Sequence, residues 1–323
     1  MRILFLGGAG MIGSAVAAEA ARQGHDLTIA TRGEPRRPVP AAAAQLRVDV
    51  HRLAELRGAL AGQHYDVVVN WVGFTPDQID GHPGLFAPIT GHYVFISTCS
   101  VFARPVPLLP VTESSPRRQP VFGYARHKIA CEDYLVNAHS ASGFPVTIVR
   151  PFHTYDATTV PVLPGWTAVE RMRAGQPVVV HGDGTSLWTL MHSGDFARAL
   201  VPVLGNGHAV GESVNLVSGD ILTWDQIHAA LAAAAGVASP VLVHRASETI
   251  AREWPPWADV LEHDFRHSML FDTTKLRRMV PGFQPRISFA AGARSIIEYH
   301  DADPARRRSD PGLSAAFDRL LAR

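Results

Sequence analysis

Residues 3–13 read Ile3-Leu4-Phe5-Leu6-Gly7-Gly8-Ala9-Gly10-Met11-Ile12-Gly13. Four apolar residues without alternation predict a strand buried on both faces, as in a parallel sheet. Gly7, Gly10 and Gly13 follow at three-residue spacing. Glycines at such a turn let the backbone approach a pyrophosphate closely, and a helix starting at Met11 offers its positive end to that anion. The spacing alone is weak, because the chain has 27 glycines. Its placement after the first strand and before the first helix gives it meaning. Gly7, Gly10, Met11, Ile12 and Gly13 are therefore candidate cofactor contacts.

The pattern repeats outward from this point. Met11–Gln23 reads as a helix, and Leu27–Ala30, Leu46–Val48, Val67–Val69, Val94–Ile96 and Val146–Val149 read as further buried strands. Alternating strands and helices predict a doubly wound α/β fold with a parallel sheet. Residues 1–150 are expected to form a Rossmann domain that binds NAD(P). After Arg150-Pro151 prolines and tryptophans dominate, and residues 151–323 are expected to form a smaller α/β substrate-binding domain. Within it, roughly 190–218 is expected to return to the first domain through a helix (Gly194–Leu204) and a strand (Ser213–Val217), and Trp224–Ala235 reads as a helix. The proline-rich stretches Gly33–Pro40 and Arg104–Pro120 read as loops, the second at the surface.

Composition excludes several classes. Thirty basic and 29 acidic side chains leave a net charge of +1, which gives no general attraction to nucleic acid or acidic membranes. Cys99 and Cys131 are the only cysteines, too few for a disulfide-stapled scaffold. No apolar run is long enough to span a membrane, and the amino terminus does not read as a signal peptide. The expected location is cytoplasmic.

The second strand ends at Thr31-Arg32, where an NAD-selective site usually places an acid. No carboxylate is there to repel a 2′-phosphate, and Arg32 can pair with one, so NADP is slightly favoured over NAD. Asp49-Val50 is a candidate for the adenine edge, and Trp71-Val72-Gly73 for the nicotinamide side. Tyr124 and Lys128 stand at i and i+4, on one helix face. Only two lysines occur in the chain, so this pairing is rare here. A lysine cation beside a phenol is expected to lower its pKa and ready it for proton transfer during hydride transfer. Ser97-Thr98-Cys99-Ser100 closes the fifth strand and offers hydroxyls to the reacting oxygen.

These residues resemble the extended short-chain dehydrogenase/reductase superfamily, within it the NAD-dependent epimerase/dehydratase family. The likeness covers Gly7–Gly13, Tyr93–Phe102, Tyr124…Lys128 with Glu132, Arg150-Pro151-Phe152-His153, Gly182-Asp183-Gly184 through Asp195, and Phe271–Lys275. It implies a catalytic triad of Thr98, Tyr124 and Lys128, with Phe152 on the cofactor side. It also implies a cleft between the domains in which Cys99, Ser100, His153 and Trp188 meet the substrate. Tyr155, Asp156 and Trp166 are further candidates for the cleft. The chain departs from the family in having Trp188 where a basic residue often holds a nucleotide diphosphate, and His153 where asparagine is common. Cys99-Ser100 replaces the Asp-Glu of dehydratases. The segment between Gly73 and Tyr93 is short, which reduces the helix used in a typical homodimer. Gly24–Gly33 is also similar to chloroplast stem-loop RNA-binding relatives.

No third ligand accompanies His263 and His267, so no metal site is read. The reading is an epimerase or ketoreductase acting on a secondary alcohol or ketone of a sugar or sugar-nucleotide-like small molecule. The alternative is a non-catalytic NAD(P)-sensing or RNA-binding Rossmann protein.

Overall fold

The computed structural model describes residues 1–322. Its strands in chain order are β1 (Arg2–Leu6), β2 (Asp26–Thr31), β3 (Ala44–Arg47), β4 (Tyr65–Asn70), β5 (Thr90–Ile96), β6 (Val146–Pro151), β7 (His153–Tyr155), β8 (Val178–His181), β9 (Leu187–His192), β10 (Ser213–Leu216), β11 (Ile221–Thr223) and β12 (Leu242–Arg245). The helices used below are α1 (Met11–Arg22), α2 (Leu53–Ala59), α3 (His82–Phe86), α4 (Gly123–Ser142), α5 (Trp166–Arg173), α6 (Ser193–Leu200) and α7 (Trp224–Ala234).

Seven strands form one parallel sheet in the order β10-β6-β5-β4-β1-β2-β3. β1 is an interior strand between β4 and β2, covered on both faces, and this explains its unbroken apolar run. Ile3 and Phe5 enter the layer containing Val16, Ala17 and Ala20 of α1 and Phe196 and Leu200 of α6. Leu4 and Leu6 enter the opposite layer with Leu56 of α2 and Leu85 of α3. Two-sided burial at roughly 25 cal/mol per Å² is what holds such a strand in place. The chain order reverses beside β1, so the carboxyl ends of β1 and β4 frame a crevice.

The later strands also build two small sheets, β11-β9-β7 and β12-β8. Their core gathers Trp188, Trp224, Phe265, Phe289 and Phe317. β9 lies in the three-stranded sheet, so of the returning stretch only β10 adds a strand to the large one. Between β4 and β5 the helical structure shrinks to a turn at Pro76–Gln78 and the five-residue α3.

The Arg104–Pro120 stretch runs over the surface as expected, with Leu108 77% exposed, but it is anchored at both ends of its middle part. Val111 is fully buried, its N–H donates to the Leu270 carbonyl (2.8 Å), and its own carbonyl accepts from Asp272 N (2.8 Å). The Arg104 guanidinium donates to the buried Asp264 carboxylate at 3.0 Å. No helix among the described residues is long and apolar enough to cross a membrane.

Candidate active site

The turn after β1 is shaped by its glycines. Gly7 and Gly8 have φ of 78° and 86°, a region other residues rarely enter. A Cβ on Gly13 would sit 2.2 Å from the Gly8 carbonyl oxygen, so only glycine lets α1 pack against the turn. Gly10 caps α1 without a side-chain hydrogen bond, and the first turn holds no acid. A Cβ built on Gly10 meets nothing within 4 Å. The positive end of α1 thus faces open space with N–H groups unclaimed by side chains, which fits a pyrophosphate.

That space belongs to a cavity of about 680 Å³. Gly7, Gly10, Ile12 and Gly13 line one side of it, with Trp71 and Val72 from the end of β4. Thr31 and Arg32 stand at one end and Thr98, Tyr124, Lys128 and Phe152 at the other. The cavity therefore joins the glycine turn to all three residues expected to do chemistry.

α4 explains the grouping of those three. Tyr124, Lys128 and Glu132 follow at four-residue steps along one face. Tyr124, at the helix start, is 40% exposed, whereas Lys128 and Glu132 are buried. The Lys128 ammonium donates to the carbonyls of Gly73 and Ile96, each at 2.7 Å. It also lies over the rings of Phe95 (4.5 Å) and Phe74 (5.1 Å). Burial pushes its pKa down to about 8. One turn further, the Glu132 carboxylate accepts from Ser97 Oγ (2.5 Å), Arg150 Nε (2.9 Å), Arg150 Nη2 (2.7 Å) and Arg117 Nη1 (2.8 Å).

This network separates the hydroxyls at the end of β5. Ser97 is committed to Glu132. Thr98 Oγ1 accepts from Ser100 N at 3.1 Å and faces the Tyr124 phenol. Burial raises the phenol's pKa, and the Thr98 hydroxyl partly offsets the rise. The Lys128 ammonium, expected to sit beside the phenol, instead donates to the two backbone carbonyls.

Several other candidates lie away from the cavity lining. Met11 is the first residue of α1, and its sulfur takes a contact from Thr159 Oγ1 at 3.7 Å. Asp49 accepts from His51 N (3.1 Å), leaving Val50 and His51 to face the cavity. A Cβ on Gly73 would clash with Ile79 and Phe95, so this residue is small for packing reasons. The buried Cys99 thiol donates to the Arg150 carbonyl (3.2 Å), and burial raises its pKa. Ser100 hydrogen-bonds Asp264. His153 and Trp188 meet each other, Trp188 Nε1 donating to His153 Nδ1 at 2.8 Å. Burial lowers the His153 pKa to about 4, so it is a neutral acceptor. Tyr155 is buried, Asp156 pairs with Arg37, and Trp166 stacks on His300 at 4.7 Å.

The sequence reading missed Gly8, Arg36, His51, Phe74 and Thr154, all of which line the cavity. The glycine cluster and the position of His51 just after β3 were usable signals. Arg36, in an irregular loop, gave none.

A match to the NAD dependent epimerase/dehydratase family covers residues 3–82 and 86–235. The chain belongs to this family. Among members of known name, it is 28% identical over 294 residues to the 2'-dehydrokanamycin reductase of Streptomyces kanamyceticus, covering 88% of this chain and 81% of that one. It is 25% identical over 307 residues to the chloroplast stem-loop binding protein of 41 kDa b of Arabidopsis thaliana, covering 90% and 77%. The fold is that of UDP-glucose 4-epimerase from Thermotoga maritima, solved with UDP-glucose, at a TM-score of 0.71 and 20% identity over 94% of this chain and 99% of that one. Sequence relatives thus carry the names of epimerases, dehydratases and reductases, and the Rossmann sheet is common ground with the solved structures.

Proposed function

We propose that this family member is an NADP(H)-dependent oxidoreductase that interconverts a ketone and a secondary alcohol on a sugar-like small molecule. The observation that carries this reading is the single cavity in which an open helix terminus, Thr98, Tyr124 and Lys128 meet. A bound nicotinamide supplies or accepts the hydride. In the reducing direction Tyr124 donates its phenolic proton to the carbonyl oxygen, and in the oxidising direction the phenolate takes the proton back. Thr98 Oγ1 orients that oxygen toward the phenol. Lys128 holds a positive charge beneath the reacting oxygens, anchored by the Gly73 and Ile96 carbonyls. The glycine turn and α1 would hold the pyrophosphate. Arg32, without an acidic partner among the described residues, supports the choice of NADP(H). Residues 151–323, apart from α6 and β10, which belong with the large sheet, would supply the substrate side. The likeness to a reductase of an oxidised aminoglycoside supports a ketone on a sugar ring.

The test starts with purified protein and a panel of keto sugars, followed through NADPH absorbance. Tyr124→Phe should cut turnover by about 100-fold or more while leaving the dinucleotide dissociation constant unchanged. A Tyr124→Phe enzyme with full activity sinks the mechanism. Failure to bind any dinucleotide, together with tight salt-sensitive RNA binding, would replace it with an RNA-binding role.

A further inference from the structure

The segment between β2 and β3 borders the cavity through residues 32–36. It begins with a local turn in which Thr31 Oγ1 donates to the Gly33 carbonyl at 2.7 Å. Arg32 and Arg36 both line the cavity, and among the described residues neither has a hydrogen bond, ion pair or ring contact. Glu34 lies between them on the same lining and is equally unpaired, so the three leave one net positive charge. The next residue is tied down. Arg37 ion-pairs with Asp156 and donates to Thr158 Oγ1 at 2.6 Å. Asp156 is fixed in turn, its Oδ1 accepting from Thr158 N (2.9 Å) and Thr158 Oγ1 (2.7 Å). The neighbouring Thr159 reaches Met11 at the start of α1. The segment thus runs from the end of β2 to the loop after β7, and that loop touches the helix end that faces the pyrophosphate space.

We propose that Gly33–Pro40 is a strap over the cofactor, held closed by the Arg37–Asp156 latch, and that the latch aims Arg36, beside Arg32, at the ribose phosphate of NADP(H). Arg36 is then a cofactor-specificity residue and Arg37 a positioning residue. This rests on the dinucleotide reading above and extends it to two residues outside the glycine turn. The physical reason is pre-organisation. A guanidinium on a free loop must be ordered, side chain and backbone, when it binds, and that ordering subtracts from affinity. Fixing Arg37 orders the backbone of its neighbour before the phosphate arrives. The latch pair is itself only partly exposed, at 27% and 15% of the two side chains, so solvent screens it less than a surface pair.

The experiment titrates NADP⁺ and NAD⁺ into the wild type, Arg36→Gln, Arg37→Gln and Asp156→Asn by calorimetry, and follows release by stopped-flow fluorescence. Melting temperatures check that each variant is folded, and the near-isosteric Asp156→Asn tests the latch from its other side. Arg36→Gln should weaken NADP⁺ about tenfold, the loss of one charge-assisted contact, and leave NAD⁺ within about twofold. Arg37→Gln and Asp156→Asn should each weaken NADP⁺ severalfold and speed its release by the same factor, again sparing NAD⁺. The inference is overturned if the latch variants weaken both dinucleotides equally, or if Arg36→Gln leaves NADP⁺ binding unchanged in a wild type that prefers it. A wild type that binds neither dinucleotide, or prefers NAD⁺, removes instead the reading on which the inference stands.

Discussion

The glycine wall of the cavity and the aromatic wall behind Phe152 are neighbours in space and unlike in construction. The first is made of backbone. Gly7, Gly8, Gly10 and Gly13 come from one short stretch, and what matters is the Cβ each of them lacks. The second is made of side chains from separated stretches. Phe152 packs on Trp188 at 4.6 Å, Trp188 on Phe265 at 4.7 Å, and Phe265 stacks on Trp224 at 4.7 Å. A wall of backbone depends on contiguous residues, whereas a wall of rings is assembled by the fold. The comparison teaches that the glycine turn is local in sequence and the aromatic wall is not.

Acid should erase the distinction. His82 and His92 in the first region and His153 and His181 in the second are all held near pKa 4 by burial. An unfolded histidine titrates near 6.5. The folded values are depressed, so these groups stay neutral in the fold while the unfolded chain takes up protons. Their contribution is complete above about pH 6.5 and is lost as pH falls through 4, by up to about 3 kcal/mol for each group. With two groups in each region, one cooperative loss of far-ultraviolet circular dichroism is expected between those limits. Two resolved acid transitions would show instead that the regions unfold separately.

The next effect is confined to the foundation of the catalytic face. Glu132→Ala leaves Arg150 buried and without its carboxylate, and takes the acceptor from Ser97 and Arg117. Loss of one partner from a buried pair costs about 3–5 kcal/mol. Urea denaturation should show that loss, with Glu132→Gln losing less. A cost under about 1 kcal/mol would mean that water replaces the carboxylate and that the network does not brace the Thr98 end of β5.

The same contrast explains what the sequence disclosed. The parallel sheet was legible because strands buried on both faces leave unbroken apolar runs such as Ile3–Leu6 and Val67–Val69. The glycine turn was legible because its function depends on contiguous residues. The Tyr124–Lys128 pair was visible through helical spacing, but not the direction of the lysine, since its acceptors Gly73 and Ile96 lie at the ends of other elements. The strap arginine Arg36 and the latch from Arg37 to Asp156 were hidden for the same reason, as the partners are 119 residues apart. Proline in Arg104–Pro120 signalled irregular backbone and concealed a buried Val111.

Trp188 gives the smallest predicted effect and bears most directly on the second wall. Its position in the sequence pointed to substrate contact. In the fold it is buried among Phe152, Trp224 and Phe265, and its indole N–H serves His153. Trp188→Phe keeps an aromatic ring and removes that donor, leaving the neutral His153 Nδ1 without a partner. The expected cost is about 1–2 kcal/mol of stability, read by urea denaturation, with dinucleotide affinity unchanged. A wall that acts through packing should show that loss first, with any change in KM following from a loosened Phe152. If stability holds while KM alone rises, the indole touches substrate directly, and the aromatic wall is a recognition surface in the same immediate sense as the glycine turn.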